Sequence, residues 1–231
     1  GNSIESGGNY NVVVGDEAGT ALTTGDGNTA VGFEALKTED ANGFNTAIGH
    51  QALETLNAGA DAYNTAVGYN AGQAVTTGVQ NTIIGGLAGD ALTDADYNVA
   101  VGYLALGADT LGSRSTAIGA YALDAQNFTS ATNALNTAVG FQAGTSVTTG
   151  IQNALFGSVA GSFLSDADYN TAVGHSSLTS DTLGSKSVAV GTYTLNTQNF
   201  TSATDSFNTA VGYAAGALVT TGVQNTLIGG L

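Results

Sequence analysis

A five-residue unit, Asn-Thr-Ala-Val-Gly or a close variant, recurs thirteen times along the 231-residue chain and limits what the chain can fold into. Nine of the twelve steps between successive units follow a 17-residue period, and the steps that begin at Asn45, Ser115 and Ser187 are longer. A fixed period of this length indicates a repeat architecture in which each coil stacks on the next. The units begin at Asn11, Asn28, Asn45, Asn64, Asn81, Asn98, Ser115, Asn136, Asn153, Asn170, Ser187, Asn208 and Asn225.

The steps also contain a longer repeat. The intervals from Asn64 to Asn136 and from Asn136 to Asn208 are equal and define a 72-residue period, because each contains three of the common steps and one of the longest. The sequence therefore predicts a single array over residues 1–231. It divides into two long repeats, 64–135 and 136–207, and two partial repeats, 1–63 and 208–231.

Each coil has the composition of short strands and tight turns. A 17-residue coil is too short for a helix-turn-helix repeat, and it has no apolar stripe at helical spacing. In the coil that begins at Asn64, the sequence predicts a strand over 64–69, a turn over 70–73, a second strand over 74–76 and a return over 77–80. The predicted fold is all-β, a parallel β-solenoid or β-roll of about 13 coils with two short strands in each.

Glycine occupies the fifth place of every unit, and asparagine opens eleven of the thirteen. A side chain at the fifth place would clash or forbid the backbone angle, so these glycines are predicted to be structural. Asparagine amides stacked about 4.8 Å apart would hydrogen-bond along the stack and hold the coils in register. The internal glycines of this column are Gly32, Gly49, Gly68, Gly85, Gly102, Gly119, Gly140, Gly157, Gly174, Gly191 and Gly212.

Apolar residues occupy both alternating sets of positions in the predicted strand, as in Thr65-Ala66-Val67. One set can line the narrow interior of the solenoid. A two-strand coil has no second layer of its own to cover the other set, which therefore needs a partner chain. The sequence predicts an obligate oligomer.

The charge balance excludes two classes of partner. Eighteen acidic residues against three basic ones leave a net charge of −15, which repels phosphate backbones and anionic lipid headgroups. Neither nucleic acid nor a membrane surface is an expected partner. The chain has no cysteine and therefore no disulfide or thiolate metal site, and no cofactor is expected.

Carboxylate pairs are the first candidates for chemistry, because paired carboxylates hydrolyse glycosides and carboxylate oxygens bind calcium. Two of the three pairs occupy the same position in successive long repeats, which favours solvated corners over a single catalytic dyad. No catalytic residue and no metal ligand is assigned. The pairs are Glu39-Asp40, Asp94 with Asp96, and Asp166 with Asp168.

The two histidines lie at the sixth place of a coil, His50 in one and His175 in another. Other coils have an aromatic ring there, as at Tyr69 and Phe141. The sequence therefore predicts ring-sized fillers and no zinc site.

Two basic residues are equivalent across the 72-residue period, Arg114 and Lys186. Asp109 and Asp181 precede them at identical spacing. This coincidence predicts an ion pair, within one chain or between chains, that selects the register between copies.

The two longest coils, which begin at Ser115 and Ser187, contain an insertion at 126–132 and again at 198–204. Such loops project from a solenoid without disturbing its stack, and these combine an aromatic ring with hydroxyl and amide groups suited to glycans or proteins. A capped edge or a clasp between subunits is the alternative. The candidate receptor contacts are Asn127, Phe128, Thr129, Asn199, Phe200 and Thr201.

The repeat resembles two known families. Residues 64–80, NTAVGYNAGQAVTTGVQ, and 81–89, NTIIGGLAG, are similar to repeats of bacteriophage tail fibres, and Ser115-Thr116-Ala117-Ile118-Gly119 resembles the head repeat of YadA-type trimeric autotransporter adhesins. The adhesin resemblance implies a left-handed β-roll, a homotrimer around one axis and an extracellular attachment role. The adhesin coil is shorter and lacks the return at Val75-Thr76-Thr77-Gly78, so the phage fibre is the closer likeness.

The expected function is non-enzymatic: the shaft or receptor-binding segment of a trimeric fibre, located outside the cell or on the virion, with a host glycan or protein as receptor. The alternatives are a bacterial surface adhesin, a subunit stacked head to tail in a filament, an ice-binding solenoid and a polysaccharide depolymerase. A threonine column motivates the ice-binding alternative, but it is broken at Val12, Val99, Ala154 and Val188. The apolar last unit, Thr226-Leu227-Ile228, leads us to expect a segment of a longer fibre or a filament subunit.

Overall fold

A computed structural model describes residues 8–230, so the first seven residues of the partial repeat 1–63 and Leu231 of the partial repeat 208–231 lie outside the described residues. The described chain is an all-β parallel solenoid of about 13 turns that contains no helix. Its strands are β1 (Val12–Val14), β2 (Thr29–Val31), β3 (Thr46–Ile48), β4 (Thr65–Val67), β5 (Thr82–Ile84), β6 (Val99–Val101), β7 (Gly112–Ser113), β8 (Thr116–Ile118), β9 (Thr132–Asn133), β10 (Thr137–Val139), β11 (Ala154–Phe156), β12 (Thr171–Val173), β13 (Gly184–Ser185), β14 (Val188–Val190), β15 (Thr204–Asp205), β16 (Thr209–Val211) and β17 (Thr226–Ile228).

One 13-stranded parallel sheet runs the length of the solenoid, with one three-residue strand from each coil. Each strand pairs with the equivalent residues of the next coil, so that Thr65 lies beside Thr82 across a step of the common length. The same register is kept across the longer step from Thr46 to Thr65 and across the longest, from Thr116 to Thr137. The predicted solenoid and its period are confirmed.

The prediction of two strands in every coil is wrong for most coils. In the coil that begins at Asn64 the strand is Thr65–Val67, and residues 74–76, predicted as a second strand, contain none. The predicted turn over 70–73 is confirmed, with φ angles of 53° at Asn70 and 60° at Gly72. The turns still stack along the solenoid axis, because the Gly72 amide donates to the Ala88 carbonyl at 3.0 Å.

The four additional strands belong to the coils around the insertions. β7 pairs with β9, and β13 pairs with β15, in two-stranded parallel sheets. Each insertion therefore extends the coil sideways and is hydrogen-bonded to the preceding coil.

The interior is filled by matching large residues with small ones in neighbouring coils. Nine coils have alanine at the third place of the unit, and the larger residues Val13, Ile83, Leu155 and Leu227 replace it in the other four. A Cβ atom at Gly72 would lie 2.8 Å from the Ile83 side chain, and one at Gly144 would lie 2.7 Å from Leu155. The longer side chains therefore fit only where the adjacent coil has glycine.

The asparagine column holds each coil to its neighbours through the backbone as well as through the amides. The Asn64 side-chain oxygen accepts the backbone N–H of Asn81 at 2.9 Å, and its amide nitrogen donates to the Gly78 carbonyl at 2.7 Å. Direct amide-to-amide bonds also occur, as from Asn81 to Asn64 at 3.2 Å. One buried amide thus joins the strand, the return of its own coil and the next coil.

The fifth-place glycines allow backbones of successive coils to approach each other. Gly140 has a φ of 140°, and a Cβ atom there would lie 2.5 Å from the carbonyl oxygen of Gly157 in the next coil. This clash would be with backbone atoms, which cannot move aside as the end of a flexible side chain can, so a side chain at Gly140 is not accommodated. The predicted structural role of this column is supported at both levels, conformation and contact.

We expect Gly140→Ala to lower the free energy of unfolding by about 3 kcal/mol, from strain at positive φ and the backbone clash together. Gly86→Ala is the matched control, because a Cβ atom there would meet only the Tyr103 ring at 3.7 Å. Chemical unfolding of both variants measures the difference. Equal stabilities would show that the fifth place is open and that this coil geometry is wrong.

Candidate functional site

The carboxylate pairs lie at the return of the coil and are bonded to the preceding coil. Asp94 accepts a hydrogen bond from the Thr77 hydroxyl at 2.6 Å, and Asp96 accepts one from the Val79 amide at 2.8 Å. Asp166 and Asp168 repeat both contacts with the equivalent residues one long repeat later. These four carboxylates therefore connect coils to one another.

Carboxylates and histidines do not gather into a metal centre in the described part of the chain. Between residues 8 and 230, no group of three or more histidine or acidic side chains is close enough to hold a metal ion. The two carboxylates of the pair Glu39-Asp40 lie in different environments, because Glu39 is fully buried and Asp40 is exposed.

The histidines occupy a column of rings at the sixth place. The His50 ring lies between Phe33 and Tyr69, with ring centroids 5.0 and 5.3 Å away. His175 packs edge-on against Tyr193 at 5.5 Å. Both histidines act as aromatic fillers, as the sequence predicts.

The predicted ion pair of Asp109 with Arg114, and of Asp181 with Lys186, is wrong within the chain. Both carboxylates are fully buried and bind other groups, whereas Lys186 pairs with Asp205 at 2.6 Å. Arg114 instead lies over the Tyr97 ring at 5.4 Å. The cations stay at the surface because a buried guanidinium or ammonium would lose its hydration.

The buried Asp109 binds the insertion of the following coil. Its side chain accepts hydrogen bonds from the amide of Gln126 at 2.5 Å and from the backbone N–H groups of Gly112 and Phe128 at 3.0 Å each. The Phe128 N–H belongs to the inserted segment. The carboxylate therefore supplies an acceptor where the longer coil departs from the stack.

The same arrangement recurs wherever a longer coil follows. Asp181 binds Gln198 and the Phe200 N–H in the second long repeat, and Glu39 accepts the Ala58 N–H at 3.5 Å before the longer coil that begins at Asn45. This twelfth place of the coil is an interior leucine or valine in most other coils, as at Leu92. A buried carboxylate thus marks each increase in coil length. The sequence carries the signal, since the acid precedes only the longer coils, but our sequence analysis missed it.

Glutamine replaces asparagine in the ladder at the insertions. The units at Ser115 and Ser187 lack the opening amide, and Gln126 donates to the Ser115 hydroxyl at 3.0 Å. Gln126 also accepts from the Asn136 amide at 2.8 Å. The ladder therefore continues across the longer coil through a side chain from a different place.

The insertion loops expose less than the sequence predicts. Phe128 and Phe200 are each only 6% exposed, because their rings pack over Gly112 and Gly184. The rings are therefore anchors of the loop and are unavailable as surface contacts. Asn127, Thr129, Asn199 and Thr201 are exposed, as expected for surface loop residues.

The most extensive exposed feature is an outer sheet face. We define it as four columns: the residue before each unit (the closing residue) and the second, fourth and sixth residues of each coil. In the coil at Asn64 these are Tyr63, Thr65, Val67 and Tyr69, while Ala66 between them is fully buried. One predicted apolar set lines the interior, and the other remains on this face.

The outer sheet face is apolar and nearly free of negative charge. Of 25 large apolar side chains exposed in the described chain, 21 lie on it. Among the acidic residues between 8 and 230, only Asp16 lies on it, together with the cations Arg114 and Lys186. An apolar surface of this extent marks an interaction site.

A recess of about 190 Å³ lies beside the last unit. It is lined by the residues Ala214, Ala215, Gly216, Leu227, Ile228, Gly229 and Gly230. None of these has a titratable or nucleophilic side chain, so the recess supplies no group for acid–base or nucleophilic chemistry.

No protein-family model, curated protein or solved structure matches this chain. Residues 8–230 also contain no helix with the length and apolar character needed to cross a membrane. The candidate site is the outer sheet face, because the interior of the solenoid is filled by buried side chains.

We expect Asp109→Leu to destabilise the protein by about 3 kcal/mol, although leucine is native at this place in other coils, because two buried N–H groups lose their acceptor. Asp109→Asn retains one side-chain oxygen and should cost less. Leu92→Val, at the same place in a coil followed by one of the common length, is the control and should cost about 1 kcal/mol. If Asp109→Leu were as stable as this control, the carboxylate would have no role at the insertion.

We expect stability to rise as the pH falls from 7 towards 4.5, the ordinary pKa of glutamate. Burial raises the pKa of Glu39, Asp90 and Asp124, and the Asp124 charge adds to the shift at Asp90. The folded state then binds protons more tightly than the unfolded chain, so this contribution is full below the ordinary pKa values and is lost as the pH rises through the raised ones.

Melting temperatures across this pH range test the effect. Glu39→Gln should flatten the profile, whereas Asp40→Asn, which removes the same charge from an exposed neighbour, should leave its slope nearly unchanged. A profile with the opposite slope in the parent protein would contradict the assignment.

Proposed function

We propose that this chain is a segment of the shaft of a trimeric extracellular attachment fibre, of the bacteriophage tail-fibre type. The observation that carries the proposal is the outer sheet face, because an apolar surface whose only acidic residue between 8 and 230 is Asp16 runs along all thirteen coils of a strongly acidic chain. A free monomer would expose this entire face to water. Burying it between copies gives a rod with an acidic exterior.

The dimensions of the face suit three copies around a common axis. From closing residue to sixth residue is six residue steps, of which only the strand is extended, so the face is at most roughly 20 Å wide. Three such faces arranged as a triangle leave at most roughly 6 Å from each sheet to the axis, about the reach of a valine or isoleucine side chain. The fourth-place column, which is valine or isoleucine in every coil except for Phe156, would then fill the centre.

The stack supplies the stiffness that a shaft requires. Thirteen coils at about 4.8 Å per step make a rod roughly 60 Å long, and every coil is hydrogen-bonded to the next. The parallel sheet that continues unbroken through all thirteen coils favours a spacer that holds another region at a distance.

We expect the purified protein to sediment at about three times the 22.7 kDa of the chain. Ile118→Asp places a charge on the outer sheet face and should dissociate the assembly, because an unpaired charge would be buried between copies. Phe163→Asp is the matched control, since Phe163 is exposed at a place outside this face. A folded monomer at micromolar concentration, or equal effects of both variants, would contradict the proposal.

A receptor-binding role is the second candidate, and the exposed loop residues Asn127, Thr129, Asn199 and Thr201 favour it. Binding of labelled trimer to a panel of bacterial cells separates it from a pure shaft. Thr129→Ala with Thr201→Ala should reduce such binding without changing sedimentation. The threonine column keeps the ice-binding alternative testable: thermal hysteresis of the purified protein would favour it over a fibre.

A further inference from the structure

The two edge columns of the outer sheet face are matched coil by coil. Where the closing residue is aromatic or leucine, the sixth residue is a ring; where the closing residue is a long polar side chain, the sixth is small. The ring pairs are Phe44 with His50, Tyr63 with Tyr69, Tyr97 with Tyr103, Leu135 with Phe141, Tyr169 with His175 and Phe207 with Tyr213. The polar pairs are Gln80 with Gly86, Arg114 with Ala120, Gln152 with Ser158, Lys186 with Thr192 and Gln224 with Gly230.

The two kinds of pair alternate strictly from the coil at Asn81 to the coil at Asn225. The first two coils do not follow the rule, since Tyr10 is matched with Asp16 and Gly27 with Phe33. Eleven consecutive coils do follow it, which requires a physical cause.

Contacts within the chain do not supply this cause. The two residues of a pair flank the strand, at most roughly 20 Å apart, and no ring or cation–π contact between residues 8 and 230 joins them. The contacts of each edge column run along the stack instead. Phe44 stacks on Tyr63 at 5.2 Å, and Lys186 lies over the Phe207 ring at 5.3 Å.

We propose that the closing residue of one copy contacts the sixth residue of the adjacent copy at the same coil level, so that the chains assemble parallel and in register. This inference rests on the proposed fibre and adds the identity of the contact. When the outer sheet faces of the copies point towards a common axis parallel to the stack, the closing-residue column of each copy lies beside the sixth-residue column of its neighbour. An antiparallel arrangement would place closing residues on closing residues instead.

The alternation also disfavours a shift of one copy by a single coil relative to its neighbour. In register, rings meet rings, or Leu135 in one coil, and each long glutamine, arginine or lysine side chain lies opposite a small residue that can accommodate it. From the coil at Asn81 onward, a shift by one coil would replace every ring-to-ring contact with a contact between a ring and a small or long polar residue. Loss of the aromatic contacts disfavours the shifted assembly.

Cysteine cross-linking tests the contact, because the chain contains no native cysteine. The variant Leu135→Cys with Phe141→Cys, whose two sites flank strand β10 within one chain, is treated with a short thiol-reactive cross-linker. Any intermolecular product then reports on neighbouring copies. The variant Gln152→Cys with Ser158→Cys repeats the test one coil further along, at a polar pair, where the substitutions remove no aromatic ring.

The matched control is Leu135→Cys with Tyr213→Cys. Tyr213 is the equivalent of Phe141 one long repeat later, and it lies four coils away, roughly 19 Å along the stack. This variant, and Leu135→Cys alone, should give no product in a parallel assembly. A product from Leu135→Cys alone would indicate antiparallel copies and overturn the proposal.

The outcomes separate this inference from the fibre proposal. A covalent trimer on a denaturing gel supports both. A covalent dimer as the final product supports the in-register contact and overturns the trimer. A protein that sediments as a trimer but gives no product from either test pair overturns the contact and leaves the fibre proposal standing, whereas a monomer by sedimentation overturns both.

Discussion

Coil-on-coil stacking is the constraint on which the rest of the structure depends. The fifth-place glycines bring successive backbones so close that a Cβ atom at Gly68 would lie 2.4 Å from the Gly85 carbonyl oxygen. At this spacing, any residue in one coil lies on its equivalent in the next. The columns of asparagine, threonine and rings all follow from that superposition.

Changes of coil length are tolerated only where their backbone groups find new partners. A longer coil cannot hydrogen-bond throughout to a neighbour of the common length, because its additional N–H groups have no stacked carbonyl. The buried carboxylates of Glu39, Asp109 and Asp181 supply acceptors at those points. Burial of a charge is costly, and the three donors around Asp109 offset part of that cost.

The outer sheet face connects the fold to the proposed function. Stacking gives every coil the same pair of surfaces, so one apolar place in the unit becomes a stripe along the whole rod. Among the described residues, every acidic side chain except for Asp16 lies off the outer sheet face. A chain built in this way presents an apolar surface to its own copies and an acidic surface to water.

The sequence by itself determined the solenoid, its period and the glycine and asparagine columns, because a repeat forces equivalent residues into equivalent environments. It could not show that residues 74–76 form no second strand, or that Phe128 packs inward over Gly112. Those outcomes depend on backbone hydrogen bonding and on the space left by a neighbouring coil. Only the tertiary structure decided that Asp109 binds Gln126 and Phe128 instead of forming an ion pair with Arg114. Asp109 is buried inside the coil, where it meets the unpaired N–H groups of the insertion, whereas Arg114 lies on the outside of the coil.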